Sequence, residues 1–375
     1  VYHGPFTDFG GYAKMNREIV RQLNKLGVNV RAEVMPDRKE CATMLIPDIE
    51  ALKYNQVTPD TPLVCGMLAP RVLSFNTPYR IVYTMMESLD VPKNYIDLCN
   101  MSDELWLPTD FNIQSFKESG LTTPVTKVPL GVNPDLFNPD AKPAVLNDEN
   151  GQPLEGFTFV SVFGWSLRKG SDVLIKAFCK AFSENDNVNL VIFSRYWGSE
   201  DTYYNNKIAE EIQKYKQLSG NPKPPKILHF GKAVPEDLLP SVYTGADCFV
   251  LPSRGEGWGL PICEAGACGI PIITTRTTGQ MEFLDDETAY LVDVDEVGQI
   301  KDLGRISSYY TNAKFPLLKE GAVNQLSEYM KHVVNNYDEA IQKGQKLSDR
   351  ILNNYTWELS ARHIVKRLAE LKQII

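Results

Sequence analysis

The stretch SRGEGWGLPICEAGACGIPII, Ser253 to Ile273, decides how this chain is read. An apolar run, DCFVLP (247–252), leads into it, and PIITT (271–275) closes it. Between them three glycines bracket an acid and a tryptophan, Pro261 opens a helical segment, and a second acid, Glu264, follows about one turn in. Proline suits a first helical turn, where its missing N–H has no partner to lose. The order strand, glycine-rich turn, helix, strand is the repeating unit of an α/β fold. In open sheets of that kind ligands bind beyond the carboxyl ends of the strands. Glu256 on the turn and Glu264 on the helix are therefore placed where a ligand would lie. The amides of Gly257, Trp258, Gly259 and Leu260 could face an anion such as phosphate, and a carboxylate accepts hydrogen bonds from sugar hydroxyls. Taken alone, the two acids fit equally well as a solvated loop acid and a helix-start acid favoured by the macrodipole.

The same alternation runs outward in both directions. The first segment, VYH then GPFTDFGGYAKMNREIVRQLNKLGVNVRAEVM, predicts strand, loop, helix, strand. Met15, Ile19, Leu23 and Leu26 share one helical face, and Gly27 ends the helix. Further strands are expected at 62–68, 80–86, 104–108 and 125–129, with helices over 92–102 and 110–119. From 138 to 156 the chain turns rich in Pro, Asn, Asp and Gly without periodicity, as a linker does. Alternation then resumes with FTFVSVF, SDVLIKAFCKAF, NLVIFS, NNKIAEEIQKYKQL and KILHF. PEDLLPSVYTGA is expected to be helical, with Pro240 as its weak point, and 321–375 mostly helical. The expectation is two doubly wound parallel-sheet domains, residues 1–140 and 157–355.

Composition narrows the partners. With 375 residues and a net charge of −8, the surface does not suit nucleic acid. The seven cysteines are scattered, never C-x-x-C, and the four histidines are far apart, which points away from a disulfide framework or a His/Cys metal site and towards the cytoplasm. No run approaches the ~18 apolar residues of a membrane span.

Further features invite a ligand. Arg168 and Lys169, in VFGWSLRKGSDVLIKAF, stand just before Gly170 and a helix, where two cations could neutralise a diphosphate; an ordinary basic turn is the alternative. Gly10 and Gly11 occupy the first strand-to-helix turn, where glycine lets backbone approach a ligand closely, although the pattern is not G-x-G-x-x-G. VDVD (292–295) reads either as a metal-binding Asp-x-Asp or as a solvated turn. Lys14, Arg17, Arg21 and Lys25 form a stripe on the first helix, either an ordinary solvated face or a peripheral contact for anionic lipid or an anionic acceptor. Trp258 could stack on a sugar or base, or pack; its flanking glycines favour the ligand.

The combination resembles the retaining glycosyltransferases of family 4, which have the GT-B fold. The resemblance rests on the Glu-x7-Glu spacing in EGWGLPICEAGACGIPII, on VPLGVNPDLFNP (128–139), on HFGKAVPEDLLPSVYTGADCFVLPS, on TTGQMEFL (277–284), and on YTWELSARHIVKRL near the end. It implies two Rossmann-like domains facing across a cleft, with a C-terminal helix (356–375) crossing back to the first. It implies a UDP- or GDP-sugar as donor substrate rather than a cofactor, a glycan, lipid-linked or other hydroxyl acceptor, and no metal site. Glu264 would bind the ribose and Glu256 would sit by the transferred sugar. Amides of Trp258, Gly259 and Leu260 would touch sugar and phosphate, Arg168 and Lys169 would hold the diphosphate, and Gly10–Gly11 would close over it. Ala233 and Val234 would lie by the base. The chain departs from the family at Gly164-Trp165-Ser166, where members often read Gly-Arg-Leu. It departs again at YTMMESLDVP, where many carry a histidine and Glu87 stands as a candidate acceptor-side contact. A nucleotide-sugar epimerase or phosphorylase on this fold, or a non-catalytic sugar-nucleotide module, remain the alternatives at this point.

Overall fold

A computed structural model describes residues 1–35, 44–67, 77–196, 202–300, 303 and 309–372. Cys41, Leu68 of the strand expected at 62–68, and the last three residues of the chain lie outside them.

The first sheet comprises β1 (Tyr2–Gly4), β2 (Ala32–Val34), β3 (Leu63–Gly66), β4 (Arg80–Tyr83), β5 (Glu104–Leu107) and β6 (Val125–Lys127), in the order β2-β1-β3-β4-β5-β6 and parallel throughout. Helices α1 (Gly11–Lys25), α2 (Pro47–Leu52), α3 (Lys93–Cys99) and α4 (Asp110–Glu118) connect its strands. The second sheet comprises β7 (Phe157–Gly164), β8 (Val188–Arg195), β9 (Lys226–Phe230), β10 (Cys248–Leu251), β11 (Ile272–Thr275) and β12 (Tyr290–Val292). It is also parallel, in the order β12-β11-β10-β7-β8-β9. Its helices are α5 (Ser171–Ala181), α6 (Thr202–Leu218), α7 (Leu239–Thr244) and α8 (Leu260–Ala267). Its central strands are buried on both faces, which is why CFVL and IITT read as unbroken runs instead of alternating.

Counted from β7, the second sheet has the strand order of a dinucleotide-binding fold. The chain winds one way through β7, β8 and β9 and the other way through β10, β11 and β12. The reversal falls between β7 and β10, and the crevice for a ligand opens between the loops that follow those two strands.

Three helices complete the fold: α9 (Glu320–Asn335), α10 (Tyr337–Asn354) and α11 (Trp357–Leu371). Val132 and Thr356 form a bridge, and Thr356 caps α11 by accepting from the Leu359 amide. α11 then lies against α1 of the first domain. Arg367 grips the fully buried Glu104 with Nε at 2.9 Å and Nη2 at 2.9 Å, so the crossing helix is fastened to the first sheet. A short antiparallel pair, β13 (Glu296–Gly298) and β14 (Phe315–Leu317), was not evident in the sequence.

Pro240 does not break a helix. The segment 235–238 is turn, and α7 starts so that Pro240 falls in its first turn, where the missing N–H costs nothing.

Candidate active site

The loops after β7 and β10 meet at the reversal of strand order. After β7 the chain forms a 3₁₀ turn, Leu167–Lys169, and then enters α5 through Gly170 in the left-handed conformation at φ 73°. A Cβ at Gly170 would lie 1.9 Å from the Pro252 carbonyl, so a side chain is excluded by backbone as well as by φ. Arg254 fastens the two loops, its guanidinium lying on Asp172 at 2.8 and 2.9 Å.

This packing brings Arg168 and Lys169 onto Glu256. Lys169 Nζ lies 2.6 and 2.7 Å from the two Glu256 oxygens, and Arg168 Nη1 lies 3.7 Å from Oε2. Arg168 also reaches Glu87 of the first domain at 3.8 Å, and Tyr310 donates to that same carboxylate. Burial pushes the Glu256 carboxyl upward, but the Lys169 and Arg168 charges outweigh it and hold it below the usual carboxylate range. Burial holds the Lys169 ammonium below the ordinary lysine value. The Glu256 backbone is pinned as well: its N–H donates to Thr278 Oγ1 (3.0 Å) and its carbonyl accepts from the Gly279 N–H (2.9 Å). Thr278 sits at φ 56°, a strained position for a non-glycine residue, in the segment TTGQMEFL.

Beyond Glu256 the chain turns through Gly259, at φ 95°, into α8, whose N-terminus carries no side-chain cap. Across the cleft, α1 starts after Gly10, also without a side-chain cap. A Cβ at Gly11 would stand 3.7 Å from Leu260 Cδ1, so the two helix starts face each other from the two domains. Each start presents backbone donors and the positive end of a macrodipole.

Glu264, the second acid of the spacing, is buried one turn along α8. Lys14 Nζ lies 2.6 Å from its Oε1, and the Tyr243 hydroxyl donates to Oε2 at 3.2 Å. Lys14 is shared with Glu236 Oε1 at 2.8 Å, and Arg17 reaches Glu236 Oε2 at 3.4 Å. This corrects the reading of the α1 stripe. Lys14 is 8% and Arg17 2% exposed, because the second domain covers that side of the helix. Neither a solvated face nor a lipid contact is compatible with that burial; Arg21 is half-exposed and paired with Asp48 and Glu18, and Lys25 is exposed.

Trp258 is a second correction. Its ring is buried against Phe283 and Tyr355, at centroid distances of 5.3 and 5.4 Å, so the side chain fills the core and only its backbone belongs to the turn. VDVD is structural: Asp295 accepts from the Lys319 and Ala322 amides at the start of α9, and Asp293 pairs with Arg276. Trp165, where the resembling family often has arginine, is buried and donates to Glu211 (2.8 Å), and Arg168 is the arginine beside Glu256. Ala233 and Val234 line a cavity of about 310 Å³ with Phe193, Phe230 and Lys232. Tyr310, Glu236 and Tyr243 were missed in the sequence, since no spacing ties them to the residues they touch.

Among the described residues no helix is long and apolar enough to cross a membrane.

Residues 146–312 match the family Glycosyl transferases group 1. A D-inositol 3-phosphate glycosyltransferase of Acidothermus cellulolyticus is 28% identical over 171 residues, 44% of this chain and 36% of that protein. A probable sucrose-phosphate synthase of Thermosipho melanesiensis is 25% identical over 253 residues, 66% of this chain and 48% of that protein. The chain thus spans less than half the length of these curated relatives. Among solved structures, sucrose-phosphate synthase from Thermosynechococcus elongatus superposes with a TM-score of 0.72 at 15% identity, covering 100% of this chain and 99% of that one. The Anabaena protein HepE in complex with UDP and glucose superposes with a TM-score of 0.65 at 12% identity, covering 98% of each chain. With its two parallel sheets, its returning C-terminal helix and its Glu-x7-Glu turn at the switch point, the chain has the GT-B fold, and its residues 146–312 are similar to the group 1 glycosyl transferases.

Proposed function

We propose that the chain transfers a hexose from a UDP- or GDP-linked sugar to a hydroxyl acceptor, glycan or lipid-linked, with retention of anomeric configuration. Residues 1–140, with the returning helix, form the acceptor side, and residues 157–355 bind the donor. The observation that carries this reading is the pairing of Arg168 and Lys169 with Glu256 on the turn leading into α8, whose uncapped start faces the uncapped start of α1. Departure of a nucleoside diphosphate builds negative charge, and two cations and two helix dipoles converge where that charge would develop.

In the proposed complex the diphosphate lies on Arg168, Lys169 and the amides of Trp258, Gly259 and Leu260, under Gly10 and Gly11. The base lies by Ala233 and Val234, the ribose on Glu264, and the sugar beside Glu256. The relatives are named for glycosyl transfer, and HepE and a pneumococcal O-GlcNAc transferase of the same fold were crystallised with UDP and a sugar, which supports a nucleotide-sugar donor.

Glu256 is a poor nucleophile, since both its oxygens are held by Lys169 and its charge is stabilised. The acceptor hydroxyl therefore attacks on the face from which the diphosphate leaves, inside the closed cleft. Glu87, on the first-domain side and next to Arg168, is the contact for the acceptor. Donor hydrolysis and transfer assays test the assignment. Glu256→Ala is expected to lower turnover by about 10²-fold or more with little change in nucleotide affinity, the pattern of a group acting mainly in the transition state. Full turnover in that variant would remove Glu256 from the reaction.

A further inference from the structure

The carboxylate assigned to the ribose is not held by its own domain alone. Three elements converge on Glu264. From α1 of the first domain come Lys14, at 2.6 Å, and Arg17 behind it; from the turn before α7 comes Glu236; from α7 comes the Tyr243 hydroxyl. Cys263 on α8 and Cys268 just after it stand close by. Lys14 also lies over the Phe137 ring, 4.5 Å from its centroid. Its ammonium is buried between two carboxylates, and the cluster of Lys14, Arg17, Glu236 and Glu264 balances in charge.

We infer that Lys14 is a positioning residue for the donor ribose: the first domain completes the second domain's nucleotide site by holding Glu264 ionised and oriented. The inference rests on the assignment of Glu264 to the ribose. A carboxylate offers about four acceptor sites; Lys14 and Tyr243 occupy one on each oxygen, leaving room for a vicinal diol. The diol needs an acceptor-only carboxylate, and a carboxyl buried beside Glu236 resists ionisation. Burial holds the Glu264 carboxyl above the ordinary range, and Lys14 opposes that rise while Glu236 adds to it. The contact crosses the cleft, so donor affinity is tied to closure: a second domain swung away from α1 loses Lys14 and, with it, much of its hold on the ribose.

The sign follows. Nucleotide affinity is full where Glu264 is ionised and falls as pH drops through its pKa. Removing Lys14 raises that pKa, so the fall in affinity moves to higher pH; each unit of upward movement weakens binding about tenfold at a fixed pH below it. Removing the Glu236 charge moves the fall to lower pH.

Isothermal titration of UDP and GDP into the full chain, repeated across a pH series, tests this. Lys14→Met is expected to bind at least about tenfold more weakly near neutral pH, with affinity recovering as pH rises, and Lys14→Arg to keep the wild-type profile. Glu236→Gln, an intact-fold companion should Lys14→Met fail to fold, is expected to shift the profile the opposite way. A pH profile that coincides with wild type in Lys14→Met, or in Glu236→Gln, overturns the inference. Glu264→Gln serves as the separate control: if it binds nucleotide like wild type, the ribose assignment itself fails; if it binds more weakly while the Lys14→Met profile stays in place, only the role of Lys14 falls.

Discussion

Glu256 and Glu264 are both buried carboxylates, yet they are shifted in opposite directions. Lys169 and Arg168 together hold Glu256 below the usual range, whereas Lys14 does not fully offset the burial of Glu264, which stays above it. A depressed carboxyl stabilises the fold at pH above its unfolded value, near 4.5, and that contribution is lost as pH falls through the folded value. Lys169→Met removes the nearest charge, so the Glu256 pKa rises and the loss sets in at higher pH. Acid unfolding followed by circular dichroism is expected to show a midpoint shifted upward in the variant, with turnover lowered by about 10²–10³-fold; an unchanged midpoint would mean that the ion pair does not set the state of Glu256. The spacing of the two acids was legible in the sequence because a glycine turn and a proline fix where the helix starts. The fates of Trp258 and Lys14 were not. The tryptophan ring packs on Phe283 and Tyr355, which are remote in sequence, and the partners of Lys14 lie 222 and 250 positions away. Periodicity within one helix shows which residues share a face, not what will cover that face.

Among the elements, loops also bring the two domains close together. A Cβ at Gly255 would fall 2.1 Å from the Glu87 carbonyl, and one at Gly257 would fall 2.4 Å from Met85 Cγ. These glycines make room for the first-domain loop. Gly255→Ala meets backbone, which cannot yield by a rotamer change, so it is expected to hold the cleft open. About a 10²-fold loss in kcat/KM, the scale of a 1 Å misplacement, is expected beside a melting curve close to wild type; undiminished kcat/KM would show that the closed contact is not needed. The helix α11 provides a second test. Glu104 accepts from Arg367, Thr126 and the Trp106 indole while fully buried. Arg367→Ala strands that charge and is expected to cost about 3–5 kcal/mol in denaturant unfolding; a loss under about 1 kcal/mol, the scale of a surface pair, would show the anchor to be incidental. The sequence, mostly helical in its reading over 321–375, announced α11 as a helix. The first-domain acid that holds it could not be found, because Glu104 reads as an ordinary strand residue.

For the whole molecule, two facts of chain order do most to determine the site. The second sheet reverses its winding between β7 and β10, and the Glu-x7-Glu turn and the Arg-Lys turn are the loops that follow those strands. The returning helix then fixes the first domain so that α1 meets α8. The alternation of strands and helices made both sheets legible, since each βαβ unit is local in sequence. Strand order, the β13–β14 pair and the loop carrying Tyr310 to Glu87 depend on contacts far apart in the chain. The central claim is that this cleft binds a nucleoside diphosphate through Glu264. Calorimetric titration of UDP and of GDP into wild type and Glu264→Ala tests it most directly. Saturable one-site binding of at least one of them, weakened about tenfold or more by the substitution, is the expected result; no binding of either, or equal affinity in both proteins, would contradict it.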